Sequence, residues 1–232
     1  MNTSSSYFDT FADNYDAHLN AALSLTGEDK EYFASARLKA LRGKLKSLRE
    51  NPRTVLDYGC GTGDTSQLLC QMPGVRNVVG VELSTRSVEL ARQQDRSRKC
   101  SFFATIEYRP DGSTDMAYCN GVFHHIPVPE RIGAVEYIYR CLRPGGVLAL
   151  WENNPWNPAT RFIMSRCAFD DDAIMLTPRE ACGLVRKGGF DLLGVDYHFL
   201  FPRFLKWLRP VEFALSRLPL GGQYQVLCRK PI

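Results

Sequence analysis

Short apolar segments alternate with amphipathic segments along most of this chain. The clearest amphipathic segment, at 129–142, has apolar residues at helical spacing and ends at Arg143-Pro144-Gly145-Gly146. Strands that alternate with helices predict a mostly parallel α/β sheet with helices on both faces. The uninterrupted apolar run at 147–151 is typical of a strand near the centre of such a sheet. The predicted strands up to this point are 55–58, 78–82, 101–105, 116–120 and 147–151.

The last third of the chain continues the same alternation. Two strands are predicted there, at 191–199 and 223–229, which brings the predicted set to seven. A capping box at Thr177 with proline at the first helical position begins a helix that runs to Lys187. Earlier in the chain, Ser84 is the expected cap of a helix at 85–94.

The length of 232 residues predicts one structural domain. Within it we expect N-terminal helices over residues 1–50 and a main sheet domain over 51–232, with insertions at 152–176 and 202–222. Segment 202–218 has apolar residues at helical spacing, and Pro210 is expected to divide it into two pieces. It could form a cap over the core, a lid over an apolar substrate, or a contact with a membrane surface.

Composition narrows the class of protein. A net charge of +4, from 29 basic and 25 acidic residues, does not indicate a nucleic-acid partner. No apolar run is long enough for a transmembrane segment, and the N-terminal residues do not resemble a secretory signal. The eight cysteines are scattered and form no C-x-x-C pair, so we expect free thiols, no metal site and a cytoplasmic protein. The composition predicts no particular oligomeric state.

The stretch VLDYGCGTGDT at 55–65 is the most informative motif. Glycines at alternate positions after a strand predict a sharp turn that lets a ligand approach the backbone closely. A dinucleotide-binding G-x-G-x-x-G motif that starts at Gly59 would need glycine at position 64, where the chain has Asp64. The carboxylate of Asp57, two residues before the first glycine, favours a ligand with a cationic amine over one with two phosphates.

With its strand, acid and G-x-G-x-G, the chain resembles the class I S-adenosylmethionine-dependent methyltransferases. The resemblance implies a Rossmann-like seven-stranded sheet whose last two strands form an antiparallel hairpin, and S-adenosyl-L-methionine as the cofactor. It also implies that Glu82 binds the ribose hydroxyls and that Leu83 packs on the adenine. The residues that it places around the methionyl end are Asp57, Gly59, Cys60, Gly61 and Gly63.

The resemblance is weaker after the third strand. Many family members have an aspartate there that accepts the adenine amine, and this chain has none in FFATIEYRPDGSTD. Thr105 lies near that position, so we expect the adenine contact to use its backbone or its hydroxyl. Asn120, which ends the fourth strand, is also expected to contact the cofactor.

Three residues are candidates for catalysis. His124 lies in CNGVFHHIP, which resembles the family's HH-I-P turn, and it could deprotonate a nucleophile or serve as a structural hydrogen-bonding residue. Glu152 follows the fifth strand at the edge where ligands bind in such sheets. Tyr15 lies in FADNYD, which resembles the opening of many small-molecule methyltransferases, where a short helix folds over the cofactor. The alternative is a helix that only docks on the core.

The predicted activity is methyl transfer from S-adenosylmethionine to a small-molecule acceptor by in-line displacement. A secondary metabolite or a glycan-related molecule is the expected acceptor. Two alternatives remain at this point, namely a non-catalytic S-adenosylmethionine-binding module and an NAD-type oxidoreductase on a related fold.

Overall fold

Seven strands form one sheet in the order β3-β2-β1-β4-β5-β7-β6. The computed structural model describes residues 9, 15–167, 170 and 172–232 of the chain, with side chains from residue 19 onward and at residue 9. The first five strands run parallel, and β7 pairs antiparallel with both β5 and β6. The strands are β1 Thr54–Tyr58, β2 Asn77–Glu82, β3 Cys100–Ala104, β4 Thr114–Asn120, β5 Leu142–Asn153, β6 Asp191–His198 and β7 Gln223–Arg229.

Helices cover both faces of this sheet. On one face the buried residues of the helices that follow β4 and precede β6 pack on the sheet, among them Ile138 and Val185. On the other face Leu41 packs with Val55 and Trp151. The helices are α1 Tyr15–Leu23, α2 Lys30–Ser47, α3 Asp64–Leu69, α4 Thr85–Gln94, α5 Arg131–Cys141, α6 Pro158–Met164, α7 Pro178–Lys187 and α8 Arg209–Leu215.

The predicted fold class is confirmed, including the antiparallel last hairpin. Strand β5 is buried along its apolar stretch, because both of its faces are covered by helices. Each fully buried aliphatic side chain there stabilises the fold by about 1.5–3 kcal/mol. The capping box is also present, with the Thr177 hydroxyl accepting from the Glu180 amide and the Glu180 carboxylate accepting from the Thr177 amide.

The boundary between α5 and β5 differs from the prediction. Helix α5 ends at Cys141, and β5 begins at Leu142, inside the segment expected only to terminate the helix. Backbone hydrogen bonds from Gly145 to the Lys230 carbonyl and from Lys230 to the Gly146 carbonyl fasten this segment to the end of the chain. The Pro-Gly-Gly sequence therefore stops the helix and then continues as extended chain.

The insertions contain structure that the periodicity did not predict. Helix α6 lies inside 152–176 and begins after Asn157, whose side chain accepts from the Thr160 amide at 3.0 Å. Segment 202–218 does form two pieces, a 3-10 turn at Arg203–Leu208 and helix α8. Neither piece has a buried residue, so the interpretation of this segment as a cap over the core is wrong. Pro210 lies in the first turn of α8, where proline is tolerated.

Two further expectations concern thiols and membranes. All eight cysteines are free, and Cys100 is the one that is partly exposed. None of the helices within the described ranges combines the length and apolarity that a bilayer crossing needs.

Candidate functional site

The loop between β1 and α3 turns sharply at the carboxyl edge of the sheet. The amides of Gly59 and Cys60 both donate to the Val81 carbonyl, at 2.8 and 3.2 Å, and fasten the loop to β2. Gly59 has a φ of +73°, and a Cβ there would lie 2.3 Å from a methyl of Val122. Gly61 has a φ of +53°, but a Cβ there would meet nothing within 4 Å. Packing therefore excludes a side chain at Gly59, whereas the space over Gly61 is open to a ligand.

The Glu82 carboxylate organises the same edge from β2. It accepts hydrogen bonds from the amides of Leu83 at 2.7 Å, Ser84 at 3.0 Å and Gly61 at 3.0 Å. Burial raises the pKa of Glu82 although these bonds oppose the shift. Glu82 thus joins the glycine loop to the start of α4.

Asp57 lies beneath the loop and is only 2% exposed. The Ser66 hydroxyl donates to its carboxylate at 2.6 Å. Burial raises the pKa of Asp57 to about 7, with the nearby Glu82 charge adding to the shift and the Ser66 hydrogen bond opposing it. A cation bound beside this carboxylate would favour its ionised form.

Two cavities flank the glycine loop, and both are lined by Gly59, Gly61 and Asn120. The first, of about 400 Å³, we call the Glu82 cavity, and its lining includes Glu82, Leu83, Thr105 and Tyr137. The second, of about 370 Å³, we call the Asp57 cavity, and its lining includes Lys30, Arg37, Asp57 and Tyr118. The side-chain oxygen of Asn120 is buried and has no hydrogen-bond partner among the described residues.

A third cavity of about 510 Å³ opens on the other side of Asn120. Helices α1, α2 and α6 and the segment after β6 enclose it. Its polar lining includes Asn120, His124, His125 and Asp170. We call it the aromatic cavity, because its lining includes Tyr32, Phe33, Phe162, Phe199, Phe201 and Phe204.

Comparison with known proteins identifies a methyltransferase domain in part of the chain. Residues 55–146 match a family model described as a methyltransferase domain. The chain is 27% identical over 140 residues to a trans-aconitate 2-methyltransferase of Rhodopseudomonas palustris, covering 60% of this chain and 54% of that protein. It is 28% identical over 216 residues to a sterol 24-C-methyltransferase of Aspergillus fumigatus, covering 85% of this chain and 55% of that protein. These matches support the resemblance of this chain to the class I S-adenosylmethionine-dependent methyltransferases.

Solved structures agree with the fold of this chain. The Haloferax volcanii methyltransferase solved in complex with the Trm112 activator superposes with a TM-score of 0.65 at 18% identity, over 97% of this chain and 98% of that one. The chain spans about half the length of the first curated relatives it matches.

The methyltransferase site fits the family's cofactor, S-adenosylmethionine. The unpartnered oxygen of Asn120 and the open space over Gly61 lie where the Glu82 and Asp57 cavities meet. A dinucleotide fits less well. Its pyrophosphate would lie at the start of α3, where Asp64 stands in place of the third glycine of the dinucleotide motif.

His124 and Glu152 form a buried pair that joins the ends of β4 and β5. One Glu152 oxygen accepts from the amides of Val122 and Phe123, at 3.1 and 2.7 Å, and the other lies 2.6 Å from Nδ1 of His124. Burial alone would lower the pKa of His124, but the charges of Glu152 and Asp170 outweigh it and raise that pKa to about 10. As an imidazolium, His124 can donate but not accept a proton, which does not favour the predicted role as a base. Both oxygens of Glu152 are occupied, so it positions the turn.

The other predicted residues lie as follows. Leu83 and Thr105 line the Glu82 cavity, with Leu83 47% exposed. Cys60 contributes to the Asp57 cavity, but it packs in the apolar cluster with Val88 and Phe102, and burial raises the pKa of its thiol. Tyr15 begins α1, and its side chain lies outside the described residues. The assignment of these residues to cofactor binding or catalysis stays a prediction.

Two functional candidates escaped the sequence reasoning. Arg37 is buried, donates to the Tyr118 hydroxyl and to Gln223, both at 3.1 Å, and lines the Asp57 and aromatic cavities. The sequence signal for Arg37 was a basic residue on the apolar face of α2. Asp9 accepts from the Ser84 hydroxyl at 2.5 Å, beside the Glu82 cavity, and no local pattern marks it. Asp170 lines the aromatic cavity and belongs to a run of three aspartates whose sequence is also typical of a solvated loop.

Proposed function

We propose that this protein transfers a methyl group from S-adenosylmethionine to a small-molecule acceptor held in the aromatic cavity. The observation that carries the proposal is the position of Asn120, which lines all three cavities described above. A donor bound over the glycine loop and an acceptor in the aromatic cavity would therefore approach each other at this residue.

The residues of the chain would bind and align the two molecules. When bound, S-adenosylmethionine supplies an electrophilic methyl group. Asp57 and the backbone of the glycine loop would hold its amino-acid end, and Glu82 its ribose. Arg37 lines the Asp57 cavity and offers a guanidinium to a carboxylate. Alignment and the exclusion of water supply the rate enhancement for a transfer of this kind.

The lining of the aromatic cavity supports an acceptor with an apolar body and a polar reacting end. Phe33, Phe162 and Phe199 supply apolar surface, while His125 and Asp170 lie at the polar end. Two relatives described above are named for their acceptors, trans-aconitate and a sterol, and these two molecules differ greatly in polarity. We propose a secondary metabolite or a glycan-related molecule with a ring or chain that fills the apolar part.

The N-terminal segment is proposed to close over the cofactor. The contact of Asp9 with Ser84 and with the Arg86 amide, at 2.5 and 3.3 Å, supports this proposal because it places Asp9 at the start of α4. The unit 51–232 would then supply the sheet and both insertions. The eight free thiols support a cytoplasmic location.

The test combines calorimetry with a turnover assay. We expect S-adenosylmethionine to bind and NAD not to bind, and we expect a methyl-labelled cofactor to transfer its label to a component of a small-metabolite extract. If the cofactor binds but its label reaches no component of any extract, the result would favour the non-catalytic S-adenosylmethionine-binding module. Binding of NAD in place of S-adenosylmethionine would overturn the proposal.

A further inference from the structure

Two histidines and one aspartate converge where the aromatic cavity meets the Glu82 cavity. Asp170 and both histidines line the aromatic cavity, and His125 also lines the Glu82 cavity. One nitrogen or oxygen from each of His124, His125 and Asp170 lies within 4.8 Å of the others. The His124 and Asp170 side chains are only 4% and 7% exposed.

Two distances in this cluster match those between neighbouring ligands around a shared ion. The Asp170 carboxylate oxygen lies 3.5 Å from Nε2 of His124 and 3.4 Å from Nε2 of His125. Both distances exceed those of good N–H···O hydrogen bonds, and the oxygen has no hydrogen-bond partner among the described residues. In a tetrahedral site with metal–ligand bonds of about 2.0–2.2 Å, neighbouring ligand atoms lie about 3.4 Å apart.

The surroundings hold the three side chains in place. The Ile174 amide donates to the His124 carbonyl at 2.8 Å, which joins the chain after Asp170 to the histidine turn. Arg131 donates to the carbonyls of Ile126 and Ile174, at 3.0 and 2.5 Å, and binds the same two segments together. A ligand set held by the backbone in this way needs little rearrangement to accept an ion.

Glu152 supplies the outer partner that metal-binding histidines usually have. Its carboxylate lies 2.6 Å from Nδ1 of His124, which leaves Nε2 directed toward Asp170. Carboxylate–histidine–metal arrangements fix the orientation of the ring and raise its basicity. An ion bound at Nε2 would replace the proton that His124 otherwise carries there, so binding of the ion would release that proton. Two carboxylates, Glu152 and Asp170, also provide the negative charge that balances a divalent cation.

We propose that His124, His125 and Asp170 bind a divalent transition-metal ion, with Glu152 as the outer partner of His124. Two imidazoles and one carboxylate suit Zn²⁺, Co²⁺ or Fe²⁺ better than Mg²⁺ or Ca²⁺, which prefer oxygen ligands. The remaining coordination positions face the aromatic cavity. An oxygen or nitrogen of the acceptor would complete the coordination, so the ion would select acceptors with such a donor next to the reacting atom.

The test is a titration of the tag-free, chelator-treated full chain with Co²⁺ alone. We expect visible d–d absorption that saturates at one ion per chain and disappears on addition of Zn²⁺. Asp170→Asn and His125→Gln should each weaken Co²⁺ binding at least about 10-fold. Glu152→Gln, which keeps an acceptor for the Phe123 amide, should weaken it by about 10–100-fold.

The matched control is Asp172→Asn, an exposed carboxylate on the same segment. It should bind Co²⁺ as the unaltered chain does, and circular dichroism should show that every variant is folded. Absence of d–d absorption, an equal loss in the control, or a charge-transfer band that marks cysteine ligands would each overturn the proposal. The titration needs neither cofactor nor acceptor, so its failure would leave the proposed methyl transfer untouched.

Discussion

The proposed donor side and the proposed acceptor side of this protein are built in different ways. On the donor side, the Glu82 and Asp57 cavities are shaped by the ends of β1, β2 and β4 and by backbone groups of one short loop. On the acceptor side, the aromatic cavity is shaped by side chains from α1, α2, α6 and the segment after β6. The first is a local feature of the chain, and the second depends on packing between distant segments. Substitutions on the two sides should therefore separate cofactor binding from acceptor use.

The largest effect is expected from Gly61→Val on the donor side. A valine side chain would fill the open space over the loop, and we expect cofactor affinity to fall at least about 100-fold, or about 2.7 kcal/mol. Calorimetry with S-adenosylmethionine measures this loss. Gly112→Val is the matched control, because Gly112 also has a positive φ of +71° with no atom closer than 3.8 Å to its Cβ position. Equal losses in the two variants would show that backbone strain alone is responsible.

On the acceptor side, His124→Asn should slow methyl transfer at least about 10-fold, because loss of an outer partner alone costs that much and His124 is a proposed ligand. His124 lines the aromatic cavity together with Asn120, so cofactor affinity should change less than twofold. Asparagine keeps a donor for Glu152 and avoids a buried unpaired carboxylate. His198→Asn replaces another histidine that lies outside the three cavities, and it should leave turnover unchanged. A large loss of cofactor affinity in His124→Asn would contradict the separation of the two sides.

Asp57→Asn should lower cofactor affinity about 10-fold, the value of one lost charge-assisted interaction of about 1.4 kcal/mol. The pKa of Asp57 is raised to about 7, so its carboxylate becomes charged as the pH rises through that value. Affinity for the cationic cofactor should therefore increase as the pH rises from one unit below this pKa to one unit above it. The Asp57→Asn variant should not show this pH dependence. Asp196→Asn, at another buried aspartate, should retain it.

The raised pKa of Asp57 also predicts how the stability of the protein changes with pH. A carboxyl group whose pKa is higher in the folded than in the unfolded protein favours folding at low pH. That contribution is lost as the pH rises from about 3.8 to about 7. Near the lower pH, Asp57→Asn and the unaltered protein should have equal free energies of unfolding. Near the higher pH, the free energy of unfolding of Asp57→Asn should be larger by about 1 kcal/mol or more. Denaturant unfolding across this range measures the difference, and parallel curves for the two proteins would contradict it.

The contrast between the two sides also explains which parts of the site could be predicted from the sequence. Asp57 and the glycines lie within a few residues of each other, so their spacing predicted the donor loop. Asn120 and Glu152 lie at the carboxyl ends of neighbouring strands, with Asn120 paired to Trp151. The predicted parallel sheet already placed both residues at the edge where ligands bind. By contrast, Phe33, Phe162 and Phe204 are far apart in the chain, and no spacing rule brings them together.

The placement of segment 202–218 shows the same limit. Its periodic apolar residues predicted two helical pieces that could cap the core, but Phe204, Trp207 and Phe213 are 75%, 71% and 85% exposed. Periodicity indicates an apolar face without indicating what covers it. Phe204 lines the aromatic cavity, which supports the lid interpretation for the first half of the segment. The second half has no such contact.

The smallest effect on folding is expected from Trp207→Ser in that segment. Because Trp207 is exposed, its loss should change the unfolding free energy by no more than about 0.5 kcal/mol. Four basic residues and one acidic residue lie between 202 and 218, a composition that with exposed tryptophan and phenylalanine favours an anionic membrane surface. Sedimentation with anionic vesicles should therefore decrease in Trp207→Ser and not in Ile232→Ser, which removes an exposed apolar side chain elsewhere. Unchanged sedimentation of Trp207→Ser, together with a raised KM for the acceptor, would assign Trp207 to a lid over the substrate. That result would contradict a membrane contact by this segment.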